Sequence, residues 1–326
     1  MNEKMIGKPY RFDVHHHIVP SEYRRTLSKI GLSEALGRNF PEWTQELALE
    51  MMDRNQIQTA ITSISSPGVY FGDNDLAKNL SRECNEISAR LEASYPERFG
   101  AFMTLPLPDI GGALRELEYG YETLRLDGVV LLSNYSGIYV GDHCFNELYE
   151  ELNRRSAIAY IHPTDPVSGN PLGKEIPTFL MEVTFDTTRV IFHLIYNGIL
   201  ERYPNIRWIM SHAGGAAPYL AWRISLGQFV LPDGGKNAPK GALYYMKRLY
   251  YDTGLSGSAH ALRSLQELVV PSHILFGTDF PFAPEMVASE TIKGIKAYDG
   301  FSDDEREIVE HKAARSLFPR FYVKPR

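Results

Sequence analysis

Short apolar runs rich in β-formers alternate along the whole chain with segments of helical periodicity. The runs predict strands near 11–17, 58–64, 99–104, 128–133, 157–162, 206–211, 249–253 and 273–277. Between them, Leu76, Leu80, Cys84, Ile87 and Leu91 fall at helical spacing until Pro96 stops the run. Leu114, Leu117, Tyr121 and Leu124 repeat the pattern ahead of the strand that begins at Gly128. Ser302 and Glu305 form a capping box at the start of the last helix. Strand and helix alternating eight times predict a distorted (β/α)8 TIM barrel, a single domain over residues 1–326. A doubly wound sheet would place a glycine-rich turn after its first strand, and here that turn holds histidines. Residues 18–42 predict a lid-like insertion after the first strand. Residues 228–247, rich in Gly, Pro and Lys, predict an excursion at the opposite end.

Composition narrows the function classes. Of the 326 residues, 44% are hydrophobic, enough for a sizeable core, and 34 basic against 40 acidic side chains give a net charge of −6. There is no polybasic run, which argues against nucleic acid as the main partner. Cys84 and Cys144 stand far apart, so neither a disulfide framework nor a thiolate zinc site is expected, and both read as small buried hydrophobes. No apolar stretch has membrane-spanning length, and Met1 to Tyr10 carries no signal-like apolar core. The expectation is a cytoplasmic protein with no membrane partner.

Candidate chemistry starts at Phe12-Asp13-Val14-His15-His16-His17. On a strand, His15 and His17 share one face and His16 takes the other, so the first pair can hold one metal ion. An affinity tag or a histidine-rich surface turn is the plainer alternative. A barrel, however, gathers catalytic residues where its strands end. His15 and His17 end the first predicted strand, His162 the fifth, His212 the sixth and Asp279 the eighth. Taken singly, His162 is also a turn residue before Pro163, His212 a helix cap, and Asp279 an N-cap followed by proline. Together, His15, His17, His162 and Asp279 make a three-nitrogen, one-carboxylate set suited to Zn²⁺ or a similar divalent ion. His212 then stands beside the set as a proton carrier. His143, His193, His260, His273 and His311 do not share this placement and read as structural.

The motifs D-x-H-x-H, H-P, S-H-x-G-G and G-T-D-x-P, in this order, resemble the amidohydrolase superfamily. More narrowly they resemble its branch of aminocarboxymuconate-semialdehyde decarboxylase and the non-oxidative aromatic acid decarboxylases. Pro41-Glu42-Trp43, Cys84-Asn85-Glu86 and Phe185-Asp186-Thr187-Thr188-Arg189 look most like the 6-methylsalicylate decarboxylase group. The resemblance implies a metal-dependent carboxy-lyase releasing CO2 from an ortho-hydroxy aromatic acid. It implies His15, His17, His162 and Asp279 as ligands of one Zn²⁺ (Mn²⁺ the alternative), and His212 as the catalytic histidine with Asp279 its rival as proton donor. It also implies a homodimer in which Arg223 reaches across to the substrate carboxylate. A second carboxylate-binding arginine has only Arg38 as counterpart in a shortened segment, which favours a monocarboxylic aromatic acid. Tyr135, Tyr139, Phe280 and Phe282 are candidates for an aromatic pocket wall. A hydrolase or hydratase on the same scaffold is the competing reading, weakened because Gly128 to Ser133 lacks the lysine that bridges two metals in relatives.

Overall fold

In the computed structural model, residues 10–321 are described apart from 168, 171, 172 and 174. Eight parallel strands follow one another round a sheet in chain order: β1 (Arg11–His17), β2 (Ile57–Ser63), β3 (Phe99–Thr104), β4 (Gly128–Leu132), β5 (Ile158–His162), β6 (Arg207–Met210), β7 (Tyr250–Asp252) and β8 (Ile274–Leu275). The ends meet where Val14 N–H donates to Phe276 O at 2.9 Å and His17 N–H to Phe280 O at 2.7 Å, with a parallel bridge between His16 and Phe280. Helices separate the strands and complete a (β/α)8 barrel. All eight predicted strands are present, with ends shifted by at most a few residues.

The helix Asn74–Ser94 shows how the pattern becomes structure. Asp73 caps it, accepting from the N–H groups of Asp75 and Leu76, and Ala77, Leu80, Cys84 and Leu91 are buried on one face. Asn85 on that face donates to Thr104 O and accepts from Thr104 N–H, fixing the helix to the end of β3. The second predicted helix runs Ile110–Tyr119 and continues as a wider turn through Leu124. The capping box at Ser302 forms as expected. Cys84 is buried, but Cys144 is exposed, because it lies in a short turn where Asp142 caps its N–H rather than on a packed face.

The barrel interior is filled by Phe12, Val14, Ile61, Phe102, Val130, Tyr160, Ile209 and Leu275, and closed below by Leu317, Phe318 and Phe321. Strict alternation along β1 would put Phe12 and Val14 on the side opposite His15 and His17. A bulge resolves this conflict. Asp13 pairs with Ala60 and His16 with Thr62, so three steps on β1 face two on β2. The side-chain parity switches there, and Phe12, Val14, His15 and His17 all serve the interior. Residues 18–42 form the helix Ser21–Lys29 and a small hairpin, anchored where the buried Tyr23 donates to Gly68 O at 2.6 Å. The 228–247 segment packs near the starts of β6 and β7, where Lys240 Nζ meets Glu201 at 2.8 Å. No helix among the described residues is long and apolar enough to cross a membrane.

Below the barrel, the buried Arg11 donates through Nε and Nη2 to Glu310 at 2.9 and 2.8 Å and through Nη1 to Asn55 O at 2.8 Å. Glu310→Ala strands this guanidinium without its counter-charge, so urea unfolding should show a loss of about 3–5 kcal/mol. A second test concerns Glu92, which burial, aided by Asp127, pushes up to about 7. An unfolded glutamate titrates near 4.3. Between those values the folded chain holds the extra proton, so stability falls as pH rises through this window. Glu92→Gln should flatten that decline, read as the difference between urea midpoints at pH 5 and pH 8.

Candidate active site

The working face of the barrel collects the predicted residues. The bulge aims His15 and His17 inward from β1, His162 ends β5, and Asp279 follows β8. One ligand atom from each lies within 4.8 Å of every other, and all four residues are buried. His15 Nε2 and His17 Nε2 stand 3.1 Å apart, and each is 3.1 Å from Asp279 Oδ1. That is the spacing of donor atoms sharing one cation at about 2.0–2.2 Å.

The remaining ring nitrogens fix the tautomers. His162 Nδ1 faces Pro163 O at 2.8 Å, and His17 Nδ1 faces Ser63 Oγ at 2.9 Å. His15 Nδ1 is 3.0 Å from Asp252 Oδ2, on a line bent away from its N–H direction. A carbonyl and a carboxylate only accept, so Nδ1 of His15 and His162 carries hydrogen and Nε2 turns a lone pair toward the centre. Asp279 Oδ1 joins them, buried and without a hydrogen-bond donor. Lone pairs converging in this way require positive charge at their centre, and the residues present fit a divalent ion. Without a cation a proton takes that place. Burial opposes it, yet Asp252 and Asp279 push His15 up to about 10. Burial holds His17 and His162 low, the charge of His15 adding to the effect. Asp279 is buried too, but His15 and His17 keep it ionised, well below the usual carboxylate range.

His212 adjoins the set, its ring centroid 4.8 Å from that of His15. Its Nδ1 donates to Gly254 O at 3.1 Å, leaving Nε2 as the nitrogen available to the cavity. Burial, then the charge on His15, lowers its pKa. His212 and Asp279 both have positive φ, 53° and 62°, where residues other than glycine are strained. Hydrogen bonds hold both: His212 N–H to Asp252 Oδ1 at 2.9 Å, and Asp279 N–H to His15 O at 2.7 Å.

Beside the cluster lies a cavity of about 510 Å³, lined by His162, His212 and Asp279 on the barrel side and by Leu36, Phe179 and Phe282 among its apolar walls. Ala35, Leu36, Arg38 and Asn39 reach it from the 18–42 insertion. The Arg38 guanidinium lies 5.2 Å from the centroid of the Phe179 ring. Of the four aromatic candidates, only Phe282 lines the cavity, with its ring edge-on to His17 at 5.5 Å. Tyr139 instead donates to the buried Asp186 at 2.5 Å, Tyr135 accepts from Leu132 N–H, and Phe280 packs on His16. Arg223 is exposed on the helix Ala217–Ser225, away from this cavity.

Sequence reasoning passed over Asp252. It ends β7, so the strand-end rule that singled out the histidines would have found it had carboxylates at every strand end been weighed. Asp13 opens the D-x-H-x-H motif without a role of its own there, and with Ser63 and Tyr160 it supports the ring of histidines from behind. The cavity wall from Phe179, Leu180 and Val183 comes from an ordinary helix start after β5.

The family model described as Amidohydrolase matches residues 12–320. The chain is 34% identical over 314 residues to 6-methylsalicylic acid decarboxylase of Penicillium expansum, covering 95% of this chain and 96% of that one. Among solved structures it is similar to an amidohydrolase II, with TM-score 0.89, 27% identity, and coverage of 95% of this chain and 99% of that one. It also shares its fold with 5-carboxyvanillate decarboxylase from Novosphingobium aromaticivorans, solved with manganese and 4-hydroxy-3-methoxy-5-nitrobenzoic acid (TM-score 0.85, 21% identity, 97% of each chain). With a barrel whose first, fifth and eighth strands send histidines and an aspartate to one point, and a family match over nearly its whole length, this chain belongs to the amidohydrolase family.

Proposed function

We propose that the protein is a metal-dependent carboxy-lyase that removes CO2 from an ortho-hydroxy aromatic acid, such as 6-methylsalicylate or a related hydroxybenzoate. The observation that carries this reading is a converging set of three imidazoles and one carboxylate at the edge of a cavity with largely apolar walls. The name of the 34% identical relative agrees with it. His15, His17, His162 and Asp279 would hold one divalent ion. The donor set suits Zn²⁺, and the manganese in 5-carboxyvanillate decarboxylase makes Mn²⁺ the alternative. When bound, such an ion supplies positive charge that orients the carboxylate with its neighbouring hydroxyl and stabilises negative charge.

The protein groups then have separate tasks. The apolar walls, Leu36, Phe179 and Phe282 among them, exclude water and hold the ring flat against the polar floor. His212 Nε2 delivers a proton to the ring carbon bearing the carboxylate. A C–H bond forms there, the C–C bond breaks, and its electron pair restores the aromatic ring as CO2 leaves. His212 suits this role because Gly254 O fixes its Nδ1, so a proton gained from the medium sits on Nε2. Asp279, held ionised, is better placed as a ligand than as the donor.

Among the described residues, Arg38 is the cationic side chain in the lining, in keeping with a monocarboxylic substrate. Arg223 shares an exposed helix with Tyr219 and Trp222, 84% and 70% exposed, an apolar surface that supports a homodimer or dimer-based oligomer. In that assembly Arg223 would reach the partner's substrate carboxylate. Residues 1–326 are taken as one domain, working in the cytoplasm.

Incubation with 6-methylsalicylate should release CO2, and a lactone panel should remain uncleaved. The reverse result would favour the hydrolase reading. His212→Asn should keep bound metal, by elemental analysis, while kcat falls about 10²- to 10⁴-fold. Unchanged turnover would remove His212 from the reaction. Chelation should abolish activity and lower the melting temperature, and Zn²⁺ or Mn²⁺ should restore both. Activity that survives complete metal removal would defeat the proposal.

A further inference from the structure

Asp252 is fully buried at the end of β7, and its two oxygens divide their partners between two sides of the site. Oδ1 accepts from His212 N–H at 2.9 Å and Gly254 N–H at 2.8 Å. Oδ2 accepts from Tyr160 OH at 2.9 Å and lies 3.0 Å from His15 Nδ1. Glycines close around the same pair. A Cβ on Gly254 would lie 2.6 Å from His15 Nδ1, and one on Gly277 would lie 2.7 Å from His15 Cβ and 3.3 Å from Asp252 Cβ. No side chain larger than hydrogen fits at either position while His15 and Asp252 keep their contact. The backbone that Oδ1 grips is the left-handed turn at His212, φ 53°, and the carbonyl of the gripped Gly254 in turn receives His212 Nδ1.

We propose that Asp252 is a positioning residue that sets two functional histidines with separate oxygens: Oδ2 holds the His15 ring with Nε2 facing His17 and Asp279, and Oδ1 holds the turn that presents His212 to the cavity. Metal retention and proton delivery then share one carboxylate that touches neither metal nor substrate. A histidine ligand backed by a carboxylate gains orientation and basicity, and losing such a partner weakens metal binding about 10- to 100-fold. This rests on the metal and His212 assignments proposed above.

Asparagine at 252 separates the two oxygens. In Asp252→Asn the amide oxygen still accepts at the Oδ1 position, while the amide NH2 opposes the N–H at His15 Nδ1. Calorimetric titration of Zn²⁺ and Mn²⁺ into metal-free protein should show Kd raised about 10- to 100-fold, with kcat at saturating metal changed less than threefold. Asp252→Ala removes both anchors, so metal Kd should rise and kcat at saturating metal should also fall, at least tenfold. Tyr160→Phe removes only the other partner of Oδ2 and should leave metal Kd within threefold. Metal Kd within threefold of the parent in a folded Asp252→Asn variant would overturn the inference, as would a Tyr160→Phe loss equal to that of Asp252→Asn, which would mark a packing role. If the variants do not fold, nitrogen-15 histidine spectra of the unmodified Zn²⁺-loaded protein decide. His15 should carry its hydrogen on Nδ1, and hydrogen on neither nitrogen would reject the assignment. A parent that binds neither ion refutes the metal reading itself and this inference with it, an outcome distinct from a metal-binding parent matched by Asp252→Asn.

Discussion

The first strand must close the barrel and feed two histidines to its interior, and one buried carboxylate reconciles those demands. Asp13 sits at the bulge of β1. Its Oδ1 accepts from His15 N–H and Thr278 N–H, both at 3.0 Å, and its Oδ2 from Thr278 Oγ1 at 2.6 Å, with His16 Nδ1 at 3.1 Å. These bonds stitch β1 to the chain leaving β8 and satisfy the backbone groups that the bulge takes out of the ladder. Asp279 follows Thr278 directly, so the contact that shuts the barrel also delivers the fourth donor to the two histidines. Closure and site assembly are one event. A barrel without the bulge would still have an apolar interior, but His15 and His17 would point toward the outer helices.

Holding that arrangement costs free energy in three currencies. Ionisable groups are taken out of water, like-polarity lone pairs are brought together, and His212 and Asp279 are bent into left-handed backbone. Each cost is met by a directed contact rather than by packing. Asp279 N–H bonds to His15 O, His212 N–H to Asp252, and the Nδ1 atoms of His17 and His162 face oxygen acceptors. The residue left over is the charge deficit at the centre of the donor set, which a cation satisfies. Two left-handed residues and the unpartnered Asp279 Oδ1 thus meet at this one site, while the lower barrel is packed with Phe12, Phe102, Leu317 and Phe318.

That division explains what could be read from the sequence. Strands and helices follow apolar periodicity, and the eight-fold alternation was legible because each unit buries its own stripe. His15, His17, His162, His212 and Asp279 were legible because strand ends are few and polar residues there stand out against apolar runs. The bulge was not, since nothing in Asp13-Val14-His15 announces a change of parity; it appears only when Asp13 finds Thr278, 265 positions away. The pocket walls were misplaced for a related reason. Tyr135 and Tyr139 follow β4 and so looked like lining. Tyr139 is instead drawn to the buried Asp186, which also accepts from Ser133 and Asn134. A buried carboxylate on a neighbouring helix is invisible to local pattern and outweighs it.

The walls that do form the cavity come mostly from residues between the motifs: the hairpin of the 18–42 insertion, the turn before Glu182, and the stretch after Asp279. This separation has a chemical consequence. The donor floor is built on strand ends, whose positions are locked by the barrel ladder and by Asp13 and Asp252. The walls are built on connections, which tolerate substitution because their backbone bonds are local or face solvent. Phe282 bridges the two, being a wall residue whose ring rests edge-on against the His17 ring. A change of Leu36, Phe179 or Val183 alters the shape offered to a ring substituent without moving any of the four donor atoms. Chemistry and substrate shape are thus set by different parts of the chain, and only the first is tied to closing the barrel.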